Sequence, residues 1–312
     1  MALRFDLQSH STHSDGALSA TEVVARAAAA GVELLALSDH DTVSGVSEAV
    51  LAGERAGVRV VPAVEISAVD SGGGGSGSRD GRELHILGYL IDHADPAFAH
   101  TLAEFLADRE RRTLRMAAGL REAGFELDER QLSTRVAAGQ PIGRPHLAEA
   151  VLSAPANAER LRDEQIDDIG SLIRGYLIEG RPAFRLRETP TVAEAVAAIH
   201  GAGGVAVWAH PFWDISDPEE VLATVERFLA LPVDGAEDPS AHGAETVAID
   251  GVEAFYITHT QDQTELLAER CAARGLLSTG SADFHGPDNR LFSRFLAFET
   301  YGLEPNLGPI AG

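Results

Sequence analysis

Apolar residues follow two rhythms along this chain. Short runs at residues 4–8, 33–38, 59–65 and 83–90 read as strands, and between the first three the apolar positions recur every three or four residues, as on one helix face. Ser19 or Thr21 is placed to cap the first helix, and Gly31 stands where a left-handed residue usually ends one. Residues 70–81, with the run Gly72-Gly73-Gly74-Gly75-Ser76-Gly77-Ser78, cannot bury a core and are expected to form a mobile loop between two strands.

From about residue 96 to 187 the alternation stops and helical spacing takes over. The longest predicted helix covers about residues 98–123, where Leu102, Phe105, Leu106, Leu114 and Leu120 give an apolar face. Alternation then resumes with a helix at 191–201, a strand at 204–209, a helix at 218–230, a strand at 247–256, a helix at 262–274 and a strand at 276–280; the acidic stretch 232–245 reads as a surface excursion. This order predicts an α/β fold with a mainly parallel sheet. It divides into a discontinuous unit, residues 1–96 and 188–312, and an inserted helical subdomain, residues 97–187.

Length changes the picture little: 312 residues suit two domains or one α/β barrel carrying an insertion. Charge changes it more. A formal net charge of −23 works against broad adhesion to nucleic acid or anionic membrane, which needs a positive surface. The one cysteine, Cys271, sits in a helical pattern and reads as a small core residue, so neither a disulfide framework nor a cysteine zinc site is available within the chain. No basic segment followed by an apolar core opens the sequence and no apolar run reaches spanning length, so a cytoplasmic location is expected.

The chemistry concentrates just past apolar runs. Asp6-Leu7-Gln8-Ser9-His10-Ser11-Thr12-His13-Ser14-Asp15-Gly16 and Ser38-Asp39-His40-Asp41 are bursts of metal-capable side chains at predicted strand ends. Glu65, His85, His210 and the pair Asp283 and His285 stand at comparable places. A lone histidine is more often structural than a ligand. Joint placement alters the odds, because such positions converge when parallel strands stand side by side. Imidazole nitrogen and carboxylate oxygen without thiolate suit Zn, Mn or Fe.

Taken in order, Asp6–Gly16, Ser38-Asp39-His40-Asp41-Thr42, Val64-Glu65-Ile66-Ser67, His85-Ile86-Leu87-Gly88-Tyr89, Ala209-His210-Pro211 and Gly280-Ser281-Ala282-Asp283-Phe284-His285-Gly286 resemble the motifs of the PHP (polymerase and histidinol phosphatase) superfamily across almost the whole chain. Gly143-Arg144-Pro145-His146, within the helical insertion, is similar to a motif of the branch that acts on nucleoside 3′,5′-bisphosphates or as 5′-3′ exoribonucleases. The resemblance implies a distorted (β/α)7 TIM-like barrel with two to three divalent metal ions, Mn, Zn or Fe. It implies one ion at His10, Glu65 and Asp283, a second at Glu65, His85 and His210, and a third at Asp15, His40 and His285, with Glu65 bridging the first two. The implied activity is metal-dependent hydrolysis of a phosphomonoester, either of a small nucleotide such as a nucleoside 3′,5′-bisphosphate or at the 5′ end of short RNA. A metal-held hydroxide would attack phosphorus among His10, Glu65, Asp283 and His285.

One position departs from the pattern. Family members usually begin with His-x-His, and this chain has Gln8-Ser9-His10. A carboxamide oxygen is a poorer donor to Zn than imidazole and suits Mn or Mg better, so Gln8 is expected to be a weak ligand or to stand behind the ligands. His13, at a variable position of the motif, is expected behind the ligands or on the substrate side.

An anionic substrate calls for cations. Most arginines of the insertion, Arg109, Arg111 and Arg112 among them, read as a solvated helix face. Arg144 is the exception: Gly143 and Pro145 fix the backbone around it at a helix start, together with His146. His259 and Arg290 are further substrate-side candidates. A small phosphorylated molecule is the expected partner, with short RNA admitted, no membrane and no obligate protein partner; the acidic chain favours a mononucleotide over extended RNA. Two other readings stand beside this one. Gln8 motivates a degenerate metal-binding module with a structural or regulatory role, and the same kind of barrel also supports metal-dependent amide hydrolysis.

Overall fold

Leu34-Leu35-Ala36-Leu37 carries no polar residue because both faces of its strand are covered, and Ala206-Val207-Trp208 repeats the pattern. The computed structural model describes residues 3–70, 72, 81–137, 142–178, 180–186, 190–232 and 246–312. It begins with β1 (Phe5–Asp6), α1 (Ala20–Ala30), β2 (Leu34–Leu37), α2 (Val46–Ala56), β3 (Arg59–Asp70) and β4 (Arg82–Tyr89). The helices α3 (Pro96–Glu122), α4 (Glu129–Ala137), α5 (Arg144–Leu152), α6 (Ala158–Asp163) and α7 (Ile169–Leu172) follow, the last running into a π-helical turn at Ile173–Leu177. The chain returns through α8 (Val192–Gly201), β5 (Val205–Trp208), α9 (Pro211–Asp214), α10 (Pro218–Phe228), β6 (Leu231–Pro232), β7 (Thr246–Val247), β8 (Gly251–Tyr256), α11 (Gln261–Arg274) and β9 (Leu277–Ser281).

Among the described residues, seven strands form one sheet in the order β1-β2-β3-β4-β5-β8-β9. The Leu7 N–H donates to Gly280 O (3.1 Å) and the His10 N–H to Phe284 O (2.9 Å), which brings β1 back to β9 and nearly closes a barrel. The sheet is parallel except at β4, which runs antiparallel to both β3 and β5. This agrees with the mainly parallel sheet expected, and because β4 is the exception its beginning, not its end, lies at the rim where the other strands finish. β3 continues past Glu65 to Asp70 and pairs with β4 as far as Arg82. Most of the glycine-rich run between them, residues 71 and 73–80, lies outside the described residues. The strand expected at 247–256 is divided, since β7 pairs with β6 in a separate ribbon and β8 alone enters the barrel. The acidic excursion from residue 233 to 245 is also outside the described residues.

Side-chain alternation decides what enters the barrel. Val61 and Ala63 on β3, Leu87 and Tyr89 on β4, Leu34 and Ala36 on β2 and Leu277 on β9 fill its lower interior, with Leu307 and Ile310 against them. Glu65 and His85 have the same parity as their strand-mates, so the interior rows that are apolar below become ionisable at the rim. Helix α3 serves two cores. Phe98, Leu102 and Phe105 pack into the cluster around Trp208, whereas Met116 and Leu120 pack with Leu147, Val151, Leu161 and Leu172 of the insertion.

Cys271 is 1% exposed on α11, and burial pushes its thiol up to about 12. Only the thiolate is nucleophilic. At pH 8 the native protein is therefore expected to resist iodoacetamide until denaturant is added, as read by mass spectrometry; labelling at the rate of a free cysteine would contradict this packing. No helix among the described residues is long and apolar enough to cross a membrane.

Candidate metal centre

The rim segments are held by polar bonds because the strands themselves end below them. Asp39 accepts from Ser11 N–H (2.7 Å), Ser11 Oγ (2.7 Å) and Ser14 Oγ (2.6 Å), which folds the segment after β1 over β2 and presents His10 and Asp15 inward. Asp41 accepts from Ser67 N–H (3.0 Å) and from Arg109 Nη1 (3.2 Å), tying the ends of β2 and β3 to helix α3. Three non-glycine residues at the rim have positive φ: Asp41 (55°), His210 (31°) and Asp283 (53°). Such conformations cost free energy, and they cluster where surrounding structure forces a side chain toward a site.

Glu65 is the centre. Its Oε1 lies 2.6 Å from His85 Nδ1 and 3.2 Å from His210 Nε2, and its Oε2 lies 3.0 Å from His10 Nε2 and 3.7 Å from His40 Nδ1. His10 Nε2 is also 3.1 Å from Asp283 Oδ1. Asp15 lies 3.7 Å from His10, 3.7 Å from His40 and 3.6 Å from His285. Yet His10 Nε2, Asp15 Oδ1, His40 Nδ1 and Asp283 Oδ1 are buried without a well-aligned hydrogen-bond partner. Buried polar atoms are rarely left so. Lone pairs that converge without pairing suit a shared cation, so the residues present fit divalent metal.

Three overlapping groups meet that description among the described residues: His10, Asp15, His40 and His285; His40, Glu65 and His85; and His10, Glu65 and Asp283. The first contains the implied trio of Asp15, His40 and His285 with His10 added, and the third is the implied His10, Glu65 and Asp283. The second has His40 where the resemblance implies His210, although His210 Nε2 is itself 3.3 Å from His85 Nδ1. Gln8 is fully buried beside them. Its Nε2 donates to Glu65 Oε2 (2.9 Å), which as a carboxylate only accepts, so its N–H faces the cluster, while its carbonyl lies 3.3 Å from Ser281 Oγ.

Burial would raise the Glu65 carboxyl, but the surrounding imidazoles, with hydrogen bonds from His10 and His210, hold it well below the usual carboxylate range. Burial pulls His210 down, and its hydrogen bond with Glu65 lifts it past that to about 9. His40 has no such bond, and burial holds it at about 3. Behind the rim, burial pushes Glu253 up to about 8 and Asp6 up to about 7. Glu253 accepts from His210 N–H (2.9 Å) and Ser281 Oγ (2.6 Å), and Asp6 from Ala282 N–H (2.9 Å) and Leu296 N–H (2.7 Å), so both brace the segments that carry the candidate ligands.

The remaining candidates are dispersed. Arg144 lies 3.5 Å from Glu83, which also pairs with Arg112. His146 Nδ1 accepts from Gly143 N–H (2.9 Å) and burial pushes the ring down to about 4, leaving a neutral imidazole with its proton on Nε2. His259 is buried, bonded through Nδ1 to Ala254 O (3.1 Å), with Nε2 unpartnered. Arg290 is not brought to the cluster: its highly exposed guanidinium donates to Asp168 of the insertion (2.6 Å). His13 is half-buried and belongs to none of the three groups.

Three residues escaped the sequence reading. Arg109 is not on a solvated face; it is mostly buried against Asp41, and its spacing four residues after Phe105 was the available signal. Glu253 announces itself as a lone carboxylate inside an apolar strand. Tyr256, whose hydroxyl donates to Asp283 Oδ2 (2.8 Å), carries no signal apart from its place at the end of that strand.

Comparison with known proteins agrees with the geometry. Residues 6–121 match the family model of the PHP domain. The chain is 31% identical to the 5′-3′ exoribonuclease of Haemophilus influenzae, covering 92% of each chain, and 32% identical to the 3′,5′-nucleoside bisphosphate phosphatase of Chromobacterium violaceum, covering 90% of this chain and 87% of that one. A solved structure described as an amidohydrolase from Chromobacterium violaceum, with bound sulfate and no metal, superposes with a TM-score of 0.73 at 29% identity, covering 98% of this chain and 93% of that one.

Proposed function

The chain belongs to the PHP domain family, and on that premise we propose that it hydrolyses a phosphomonoester, of a small nucleotide such as a nucleoside 3′,5′-bisphosphate or at the 5′ end of short RNA, with divalent metal at the barrel rim. The observation that carries this reading is the convergence of unpartnered buried atoms of His10, Asp15, His40 and Asp283 around Glu65. His10, Glu65 and Asp283 would hold one ion, Glu65, His85 and His210 a second, and Asp15, His40 and His285 a third. Divalent ions in such sites polarise phosphoryl oxygens and bring the pKa of water to about 7.

The chain's own residues do the rest. Gln8 keeps Glu65 in place by donating to it, which assigns the carboxamide to orientation rather than ligation. Tyr256 does the same for Asp283. Arg144 brings a guanidinium suited to bidentate contact with a phosphate, and Arg109 offsets carboxylate charge beside Asp41 and Asp15. His146, neutral with its proton on Nε2, offers a hydrogen bond without adding charge. The second core cluster supports treating residues 97–187 as a subdomain, with α3 as the shared element.

Amide hydrolysis is the competing reading, since the superposed structure carries that name. The sequence contains no lysine, so the lysine that bridges metals in amide hydrolysis on such barrels is unavailable, and Glu65, with imidazoles at both oxygens, would take the bridging place. The test loads purified protein with Mn or Zn and follows phosphate release from nucleoside 3′,5′-bisphosphates beside a panel of amides. Phosphate release abolished by chelator is expected, with the loaded protein stabilised by about 2.7 kcal/mol at a hundredfold excess of metal over Kd. Loaded protein that cleaves amides and releases no phosphate would overturn the reading.

A further inference from the structure

Beside the carboxylates and imidazoles lies a set of aromatic rings, of which the candidate ligands use only the Tyr256 hydroxyl. Trp213, Tyr256 and Phe292 stand with ring centroids 5.7 Å apart for Trp213 and Phe292, 6.4 Å for Trp213 and Tyr256, and 6.3 Å for Tyr256 and Phe292. At one end the set touches the candidate ligands: Phe292 is 5.3 Å from the His285 ring and Tyr256 is 5.2 Å from the His210 ring. At the other it reaches solvent, because Trp213 is 52% exposed and Leu291, next to Phe292, is 42% exposed. A tryptophan is usually well covered, so this one forgoes burial that its fold could have used.

The rings are positioned by the site itself. The Trp213 N–H donates to His210 O (2.8 Å), and the His285 N–H donates to Phe292 O (2.9 Å). Asn289 Oδ1 accepts from the N–H groups of Leu291 (3.0 Å) and Phe292 (2.9 Å), which fixes the segment carrying the second ring. Trp213 and Phe292 meet at an interplanar angle of 58°, so they do not cover each other's faces by stacking.

Resting on the phosphoester reading, the geometry points to Trp213 and Phe292 as a stacking platform for the purine or pyrimidine ring of a nucleotide, held at the mouth while its phosphate lies among His10, Glu65, Asp283 and His285. A sugar is what separates a phosphate from a base, and the ring set runs outward from the candidate ligands to solvent. Stacking needs a π face and no positive surface, so it suits a chain of net charge −23. The platform selects substrates that carry a base over base-free sugar phosphates.

Two readouts test it. In metal-loaded protein, Trp213→Ala is expected to lower the ratio of kcat/KM for a nucleoside 3′,5′-bisphosphate to that for ribose 5-phosphate about tenfold, with Trp213→Phe restoring most of it. Independently of turnover, nucleotide but not ribose 5-phosphate should quench tryptophan emission, and Trp213→Ala should abolish the quench, since the other tryptophan, Trp208, is fully buried. An unchanged ratio together with an absent quench overturns the platform while leaving phosphoester hydrolysis standing. A Trp213-dependent quench in protein that hydrolyses no phosphoester overturns the catalytic reading and leaves base binding standing.

Discussion

Replacing Glu65 by Gln is expected to lower kcat/KM toward a phosphomonoester by about 10³-fold or more, equivalent to about 4 kcal/mol of transition-state stabilisation. The change keeps the shape and removes the charge. Four imidazoles, of His10, His40, His85 and His210, lie between 2.6 and 3.7 Å from its two oxygens, so one substitution removes the charge that all four face. The new amide would also turn an N–H toward either Gln8 Nε2 or His85 Nδ1, where an acceptor now stands. Metal content, measured on the purified variant, should fall with activity, and the metal-free fold should lose about 3 kcal/mol, as when one partner of a buried charged set is removed. Activity within tenfold of the parent at full metal content would show that Glu65 is not the hub.

Gly16→Ala is expected to destabilise the protein by about 3 kcal/mol, the upper end of the range for overpacking, and to cost about a hundredfold in turnover. A Cβ at residue 16 would stand 2.2 Å from His10 O, 2.4 Å from His10 C and 2.7 Å from Ser11 N. All three are backbone atoms, so no side chain can swing aside. Relief comes only by moving the segment that carries His10 and Asp15, which ties the stability loss to a functional one. Gly201→Ala is the control: its Cβ meets nothing within 4 Å at the end of α8, and the exchange should be neutral or slightly stabilising. Thermal unfolding and initial rates on both variants check the contrast; a Gly16→Ala protein as stable and active as the Gly201→Ala protein would sink the argument.

What the sequence showed and what it hid follow from how far each property reaches. His10, Asp15, His40, Glu65, His210, Asp283 and His285 were readable as a set because each follows a short apolar run, and strand ends in one sheet share a rim. His85 joined them as a residue inside the run predicted as a strand at 83–90 rather than past its end. A hairpin through a glycine-rich run and a crossover look alike in sequence, so nothing in Arg82–Tyr89 told that β4 runs backward and brings its beginning to the rim. Arg109 was hidden among neighbouring arginines, since a periodic face says which way a helix points but not what stands opposite. The orientation of Gln8 depends on Glu65 and Ser281, which come from strands far away in the chain.

The junction of β1 with β9 has a consequence for how the protein comes into being. His10 and Asp283 lie just past the first and last strands of the barrel, with His10 Nε2 and Asp283 Oδ1 3.1 Å apart, so the longest sequence separation in the sheet also completes the candidate ligand set. During synthesis the segments after β1 and β2 emerge early, and α3 with its helical neighbours can assemble a core of its own. The His10, Glu65 and Asp283 group waits for the final strand. Contacts of such high order form late because the loop they close must first lose its freedom. Metal held at that group would therefore be captured only after β9 has joined β1, so its binding would report closure of the barrel.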